Sequence, residues 1–187
     1  MITLGAIAEP LIYCLIGPQW HQAATFLPFI CISMSLYPLQ AINLNMLQIQ
    51  GRTDVFLYIE IIKKIIAVIP ISLGIFVGIY WMLIGSIFTG ITSFFLNSYY
   101  TGKHLGYSSW MQIKDIAPSY GVALVVALSV YFLKYLPVSY WIILPLQIVI
   151  GSMVLVAVCK VSKNQEYVDA LELVRPVLAS IKNRFKR

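Results

Sequence analysis

Glu60, Lys63 and Lys64 stand almost side by side in a stretch that is otherwise apolar. In a helix, residues three and four apart share a face, so Glu60 can pair with either lysine. One ammonium is then left in excess, a point charge that favours an anionic cargo. The plainer alternative is a solvated cuff, with both lysines snorkelling to the headgroups. At about 100° per residue, Glu60, Lys63, Lys64, Ala67, Gly74 and Gly78 fall on one face. Ile62, Ile66, Ile69, Leu73 and Val77 fall on another. Small residues mark faces turned toward other helices, so the charges are expected to point into a bundle. An unpaired charge at the centre of a bilayer costs about 2.5–3.5 kcal/mol, which makes the pairing consequential.

A second polar group is Gln40, Asn43, Asn45 and Gln48, preceded by Pro28 and Pro38. Gln40 and Asn43 share a helix face; Asn45 does not. Their amides can bridge neighbouring helices or line an aqueous cavity within a bent span. Glu9, just before Pro10, is either a cavity carboxylate or the first-turn charge of a restarting helix. Gly74 and Gly78 have GxxxG packing spacing.

Enzyme signatures are missing: there is no G-x-x-x-x-G-K-[ST], H-E-x-x-H, C-x-x-C or G-x-S-x-G. His21 and His104 are expected at opposite membrane faces and cannot share a metal. Asp54 and Asp115 come from different loops, and Cys14, Cys31 and Cys159 are scattered through apolar runs. Neither an enzyme nor a cofactor is expected.

The elements that must hold these residues follow from composition. Of 187 residues, 60% are hydrophobic and 11% charged, against about 25% charged in soluble domains. Long charge-poor runs of this kind read as bilayer spans. The reading is an all-α, polytopic transmembrane bundle over residues 1–163. It has one partial span at 1–16 and five full ones near 21–48, 54–78, 79–100, 113–136 and 140–161. The partial span reads as the far end of a helix whose beginning is missing, and no secretory signal is evident.

Arg52, Lys103, Lys114, Lys160 and Lys163 border alternate connections, which the positive-inside rule makes cytoplasmic. The net charge of +6 is therefore topological, and no nucleic-acid partner is expected. Residues 164–187 carry Tyr167, Leu171, Val174, Leu178, Ile181 and Phe185 in one stripe, with acids early and bases late. They are expected to form a cytoplasmic amphipathic helix bent at Pro176 and lying on the inner leaflet.

One family shares these features. Ala8-Glu9-Pro10-Leu11-Ile12, Gly17, Trp20, Leu36-Tyr37-Pro38-Leu39, Asn43-Leu44-Asn45, Gly51-Arg52-Thr53-Asp54 and Glu60-Ile61-Ile62-Lys63-Lys64 resemble the C-terminal half of bacterial lipopolysaccharide or O-antigen flippases. These belong to the multidrug/oligosaccharidyl-lipid/polysaccharide (MOP) exporter superfamily. The resemblance is most specific over residues 8–64 and rests on hydropathy and spacing beyond.

It implies the last part of an inner-membrane transporter whose N-terminal helical bundle lies outside this chain. The implied cargo is an undecaprenyl-diphosphate-linked oligosaccharide, flipped toward the periplasm by alternating access. Glu60, Lys63, Lys64, Gln40 and Asn43 are the candidate cavity residues. The alternatives are a drug or cation antiporter of the same superfamily, which needs an intramembrane carboxylate such as Glu9 or Glu60, a membrane-embedded glycosyltransferase or polymerase, and a membrane-embedded polysaccharide-assembly subunit.

Overall fold

A computed structural model describes residues 1–136 and 138–161. The expected tail helix, with its bend at Pro176, lies outside them. All regular structure among the described residues is helical. The helices are α1 (Ile2–Ala6), α2 (Ala8–Leu15), α3 (His21–Met34), α4 (Tyr37–Ile49), α5 (Thr53–Phe76), α6 (Ile79–Leu105), α7 (Ser109–Phe132) and α8 (Tyr140–Val161).

Proline places two of the helix breaks. Its missing N–H and its ring act on the carbonyl four residues earlier. For Pro10 that residue is Ala6, the last of α1; for Pro38 it is Met34, the last of α3. At the second break the chain turns through Ser35 and Leu36. There the Ser35 hydroxyl donates to the Ile32 carbonyl (2.8 Å), and the helix resumes when Gln40 N–H meets the Leu36 carbonyl (3.1 Å). The bend expected in the first full span therefore lies at Pro38, while Pro28 stays inside α3. Pro70, Pro118 and Pro145 likewise remain within α5, α7 and α8.

Four helical stretches are long and apolar enough to cross a membrane: Pro18–Ile49, Ile79–Lys103, Ser109–Tyr135 and Tyr140–Lys160. Their outer faces carry large exposed apolar side chains such as Phe88, Phe132 and Trp141. A face of this kind is stable against hydrocarbon and costly against water, so the chain is a membrane protein. α5 has the length of a span, but Glu60, Lys63 and Lys64 interrupt its apolar run.

The helices pack in two groups. α6 is the centre of the first, touching α3, α4 and α5. α5 and α6 form a hairpin closed at Gly78, whose φ of 124° suits glycine. Close approach within the hairpin uses Gly85, where an added Cβ would lie 2.9 Å from Pro70 Cβ, and Gly74, which faces Met82. In the second group α7 packs on α1 and α8, and α2 packs on α3 and α8. Its core is Val122, Val126 and Val130, spaced by four along α7, with Ile7, Val154 and Val158 against them.

The face expected to turn inward on α5 does so in part, shifted round the helix toward the isoleucine face. The buried positions are Ile59 and Pro70, with Glu60, Lys63, Ala67 and Gly74 half-buried on one side of them and Ile62, Ile66 and Leu73 on the other. That stripe lies between the two faces drawn on the wheel. Lys63 is close to it, Glu60 is at its edge, and Lys64 is exposed. Gly74 makes the glycine contact expected of α5, against Met82, and a second close contact seats Pro70 of α5 on Gly85 of α6. Gly78 is a turn residue and takes no part in a GxxxG surface.

Candidate functional site

α4, α5 and α6 enclose a cleft of about 510 Å³. α5 lends Glu60, Lys63 and Lys64; α4 lends Gln40, Asn45 and Gln48; α6 lends Thr89 and Ser93. Tyr37, at the start of α4, stands at its margin. Three of the four α4 amides thus meet all three α5 charges across a single space.

Lys63 Nζ donates to Glu60 Oε1 at 2.7 Å, the i,i+3 pair, and both side chains are partly shielded. Lys64 makes no ion pair or hydrogen bond among the described residues. The cluster carries one net positive charge, on a flexible stem at the cleft's border. Gln40 is buried and donates through Nε2 to the Gly90 carbonyl (3.0 Å). That bond leaves its amide oxygen as the group it can offer the cleft. A cation beside amides and hydroxyls can hold an anionic group and the polar atoms attached to it.

Asn43 lies apart from this cleft. It is 3% exposed, and its Nδ2 donates to Gln112 Oε1 of α7 at 2.8 Å. Gln112, itself fully buried, donates through Nε2 to the Tyr107 carbonyl (3.3 Å). An amide–amide bond thus joins the two groups of helices in addition to the packing of α1 and α2 on α3. Gln40 and Asn43 do share the buried face of α4, along with Leu47, but their partners sit on different helices.

Sequence reasoning passed over the polar side of α6. Ser86, Ser93, Asn97 and Thr101 recur at turns of the helix, and the last three are buried. The Ser33 hydroxyl donates to the Ser86 carbonyl (3.1 Å). The Thr101 hydroxyl lies 2.9 Å from the Asn97 carbonyl and 3.3 Å from that of Asn43. A stripe of small and polar residues at this spacing is itself a signal of helix contact.

A second charged cluster lies at the other end of the helices. Glu9, in the first turn of α2, forms an ion pair with Lys134 and accepts a hydrogen bond from the Tyr140 hydroxyl (3.0 Å). Tyr13 and Tyr140 stack with ring centroids 4.7 Å apart. Glu9 and Glu60 are thus each paired with a lysine. Between α6 and α7, the Tyr107 hydroxyl donates to Asp115 Oδ2 at 2.5 Å. The bond to that carboxylate holds the proton on Tyr107 and raises its pKa above the usual tyrosine range, helped by partial burial.

No protein-family model matches the chain, and no curated protein or solved structure matches it either.

Proposed function

We propose that this chain is the C-terminal part of an inner-membrane flippase, and that its cleft takes the diphosphate of a lipid-linked oligosaccharide. In this reading α5 is a fifth full span beside the four apolar ones, with α1 and α2 forming the end of a sixth. The C-terminus is cytoplasmic. The observation that carries the reading is the cleft itself, which puts Lys64, without an ion-pair partner among the described residues, and the Glu60–Lys63 pair among the amides of α4. A diphosphate needs a cation; sugar hydroxyls need neutral donors and acceptors. The family resemblance over residues 8–64 supplies the cargo's name.

Cation antiport is less well supported, because neither Glu60 nor Glu9 is free to bind a cargo cation while its lysine partner holds it. An enzymatic reading has no specific support, because Glu60 is paired with Lys63 rather than with the Thr89 or Ser93 hydroxyl of the cleft, and a purely structural assembly subunit would have little use for Lys64, which makes no ion pair among the described residues.

The test is native mass spectrometry of the full protein purified from its own membrane, with undecaprenyl diphosphate and undecaprenol as probes. The diphosphate should be retained preferentially. Lys63→Ala with Lys64→Ala should cut that preference roughly tenfold, the scale of one lost charge-assisted contact. Equal retention of both lipids, or a preference unchanged in the double variant, would refute the assignment.

A further inference from the structure

On its buried side, α6 presents Gly90, Asn97 and Thr101 to α4 in succession. Gln40 is anchored at the first, and the backbone of Asn43 at the last. Asn97 sits between these anchor points and is 0% exposed, as is its neighbour Ser98. Neither Nδ2 nor Oδ1 of Asn97 has a hydrogen-bond partner among the described residues, and neither does the Ser98 hydroxyl.

A primary amide carries two donors and an oxygen with two lone pairs. Leaving such groups buried and unbonded carries a full desolvation penalty, and nearly all buried polar atoms in folded proteins are satisfied. The flanking contacts are well made, so Asn97 is not in a region of poor packing: Thr101, one turn on, bonds to Asn97's own carbonyl.

The chemistry of the unpartnered atoms selects what can bind them. A metal cation would be attracted by Oδ1 and the hydroxyl but repelled by the Nδ2 hydrogens. An anion would meet the reverse. The buried side chains nearest along the α4–α6 contact, Ser93, Thr101 and Asn43, are all neutral. The ligand must be small and uncharged, and must both donate and accept. We propose that Asn97 and Ser98 form an internal hydration site between α4 and α6, holding ordered water against the amide and the hydroxyl. Buried water of this kind makes about three hydrogen bonds to otherwise unsatisfied groups. The inference is independent of the cargo assigned to the cleft.

The test combines two readouts on the full chain in bicelles. Synchrotron hydroxyl-radical footprinting generates radicals from bound water and marks adjacent side chains that bulk solvent does not reach. Phe94, 2% exposed and one turn from Asn97, should be oxidised in the native protein and spared in Asn97→Leu. Leucine keeps the branching and heavy-atom count of asparagine at a larger volume, and in place of a dry, orphaned amide its gain from removing the unpaired polar atoms would offset the added bulk. A hydrated amide would instead lose its water's partners, and the unfolding equilibrium should shift about tenfold toward the unfolded state. Ser98→Ala should give a smaller shift of the same sign. Absence of Phe94 oxidation in the native protein, or a gain in stability on Asn97→Leu, would overturn the proposal. If Asn97→Leu does not fold, native footprinting and Ser98→Ala decide it.

Discussion

Breaking the amide bridge between Asn43 and Gln112 should loosen the two helix groups from each other. The bond is 2.8 Å long and links fully buried parts of α4 and α7. On the side of α4, α6 and α7 the groups otherwise touch only slightly, their remaining contact being that of α1 and α2 with α3. Asn43→Leu removes the donor and leaves Gln112 Oε1 buried without a partner, a penalty of about 1–3 kcal/mol. Gln112→Leu removes the acceptor and also releases the Tyr107 carbonyl, so it should cost at least as much. The double variant leaves neither amide orphaned by the other. Its cost should fall short of the sum by the coupling energy, about 0.6–1.7 kcal/mol for hydrogen bonds between membrane helices. The assay is equilibrium unfolding in bicelles, read by pulse proteolysis for all four members of the cycle. Additivity to within about 0.3 kcal/mol would show that the bond contributes no coupling and would refute the argument that it ties the groups together.

Two further outcomes follow from local geometry. An added Cβ at Gly90 would lie 2.9 Å from the backbone carbonyl of Ser33, whereas Gly121 has open space around it. Gly90→Ala should therefore destabilise the protein by about 1–3 kcal/mol and Gly121→Ala should stabilise it by about 0.5–1 kcal/mol, both measured by unfolding in bicelles. Tyr107 should ionise late. Its folded pKa is raised, so its contribution to stability is complete below the ordinary tyrosine range and disappears as pH rises through the folded value. The difference in phenolate absorbance between the native protein and Tyr107→Phe measures this pKa, and Asp115→Asn should bring it down.

Helix positions were largely legible because proline and glycine act locally. Pro10, Pro38, Gly78 and Gly106 each determine a boundary through their own backbone chemistry. The α8 bounds agree with expectation, and α6 and α7 extend a turn or so beyond it at their shared connection. Ser108 caps that start of α7, its hydroxyl accepting from Met111 N–H (3.4 Å). What local chemistry could not supply was the rotation of each helix. A wheel ranks faces by the residues on one helix, but contact needs a fit between two. The packed face of α5 follows Pro70 because Gly85 on α6 leaves room for it. The same limit hid half of the amide bridge: Gln112, near Lys114 and Asp115, resembles an interfacial polar residue until Asn43 is seen opposite. Gathering Glu60, Lys63 and Lys64 with α4 amides was readable only in part. Gln40 reaches the cleft, whereas Asn45 and Gln48, on another side of α4, join it because α5 lies alongside.

The tight α5–α6 hairpin bears on how such a chain enters a bilayer at all. Taken singly, α5 partitions poorly, since three charges fall within its hydrocarbon-length run. α6 has none in its first two-thirds and partitions well. With only Val77 and Gly78 between them, the second helix emerges from the ribosome directly behind the first. Pro70 can seat on Gly85 and Met82 on Gly74 while both are still beside the insertion machinery. Released as a pair, they would present lipid with the apolar outer faces and keep Lys63 against Glu60. A substitution that spoils the Pro70–Gly85 contact should then reduce the yield of inserted protein during synthesis, a loss that refolding measurements on the finished molecule would not register.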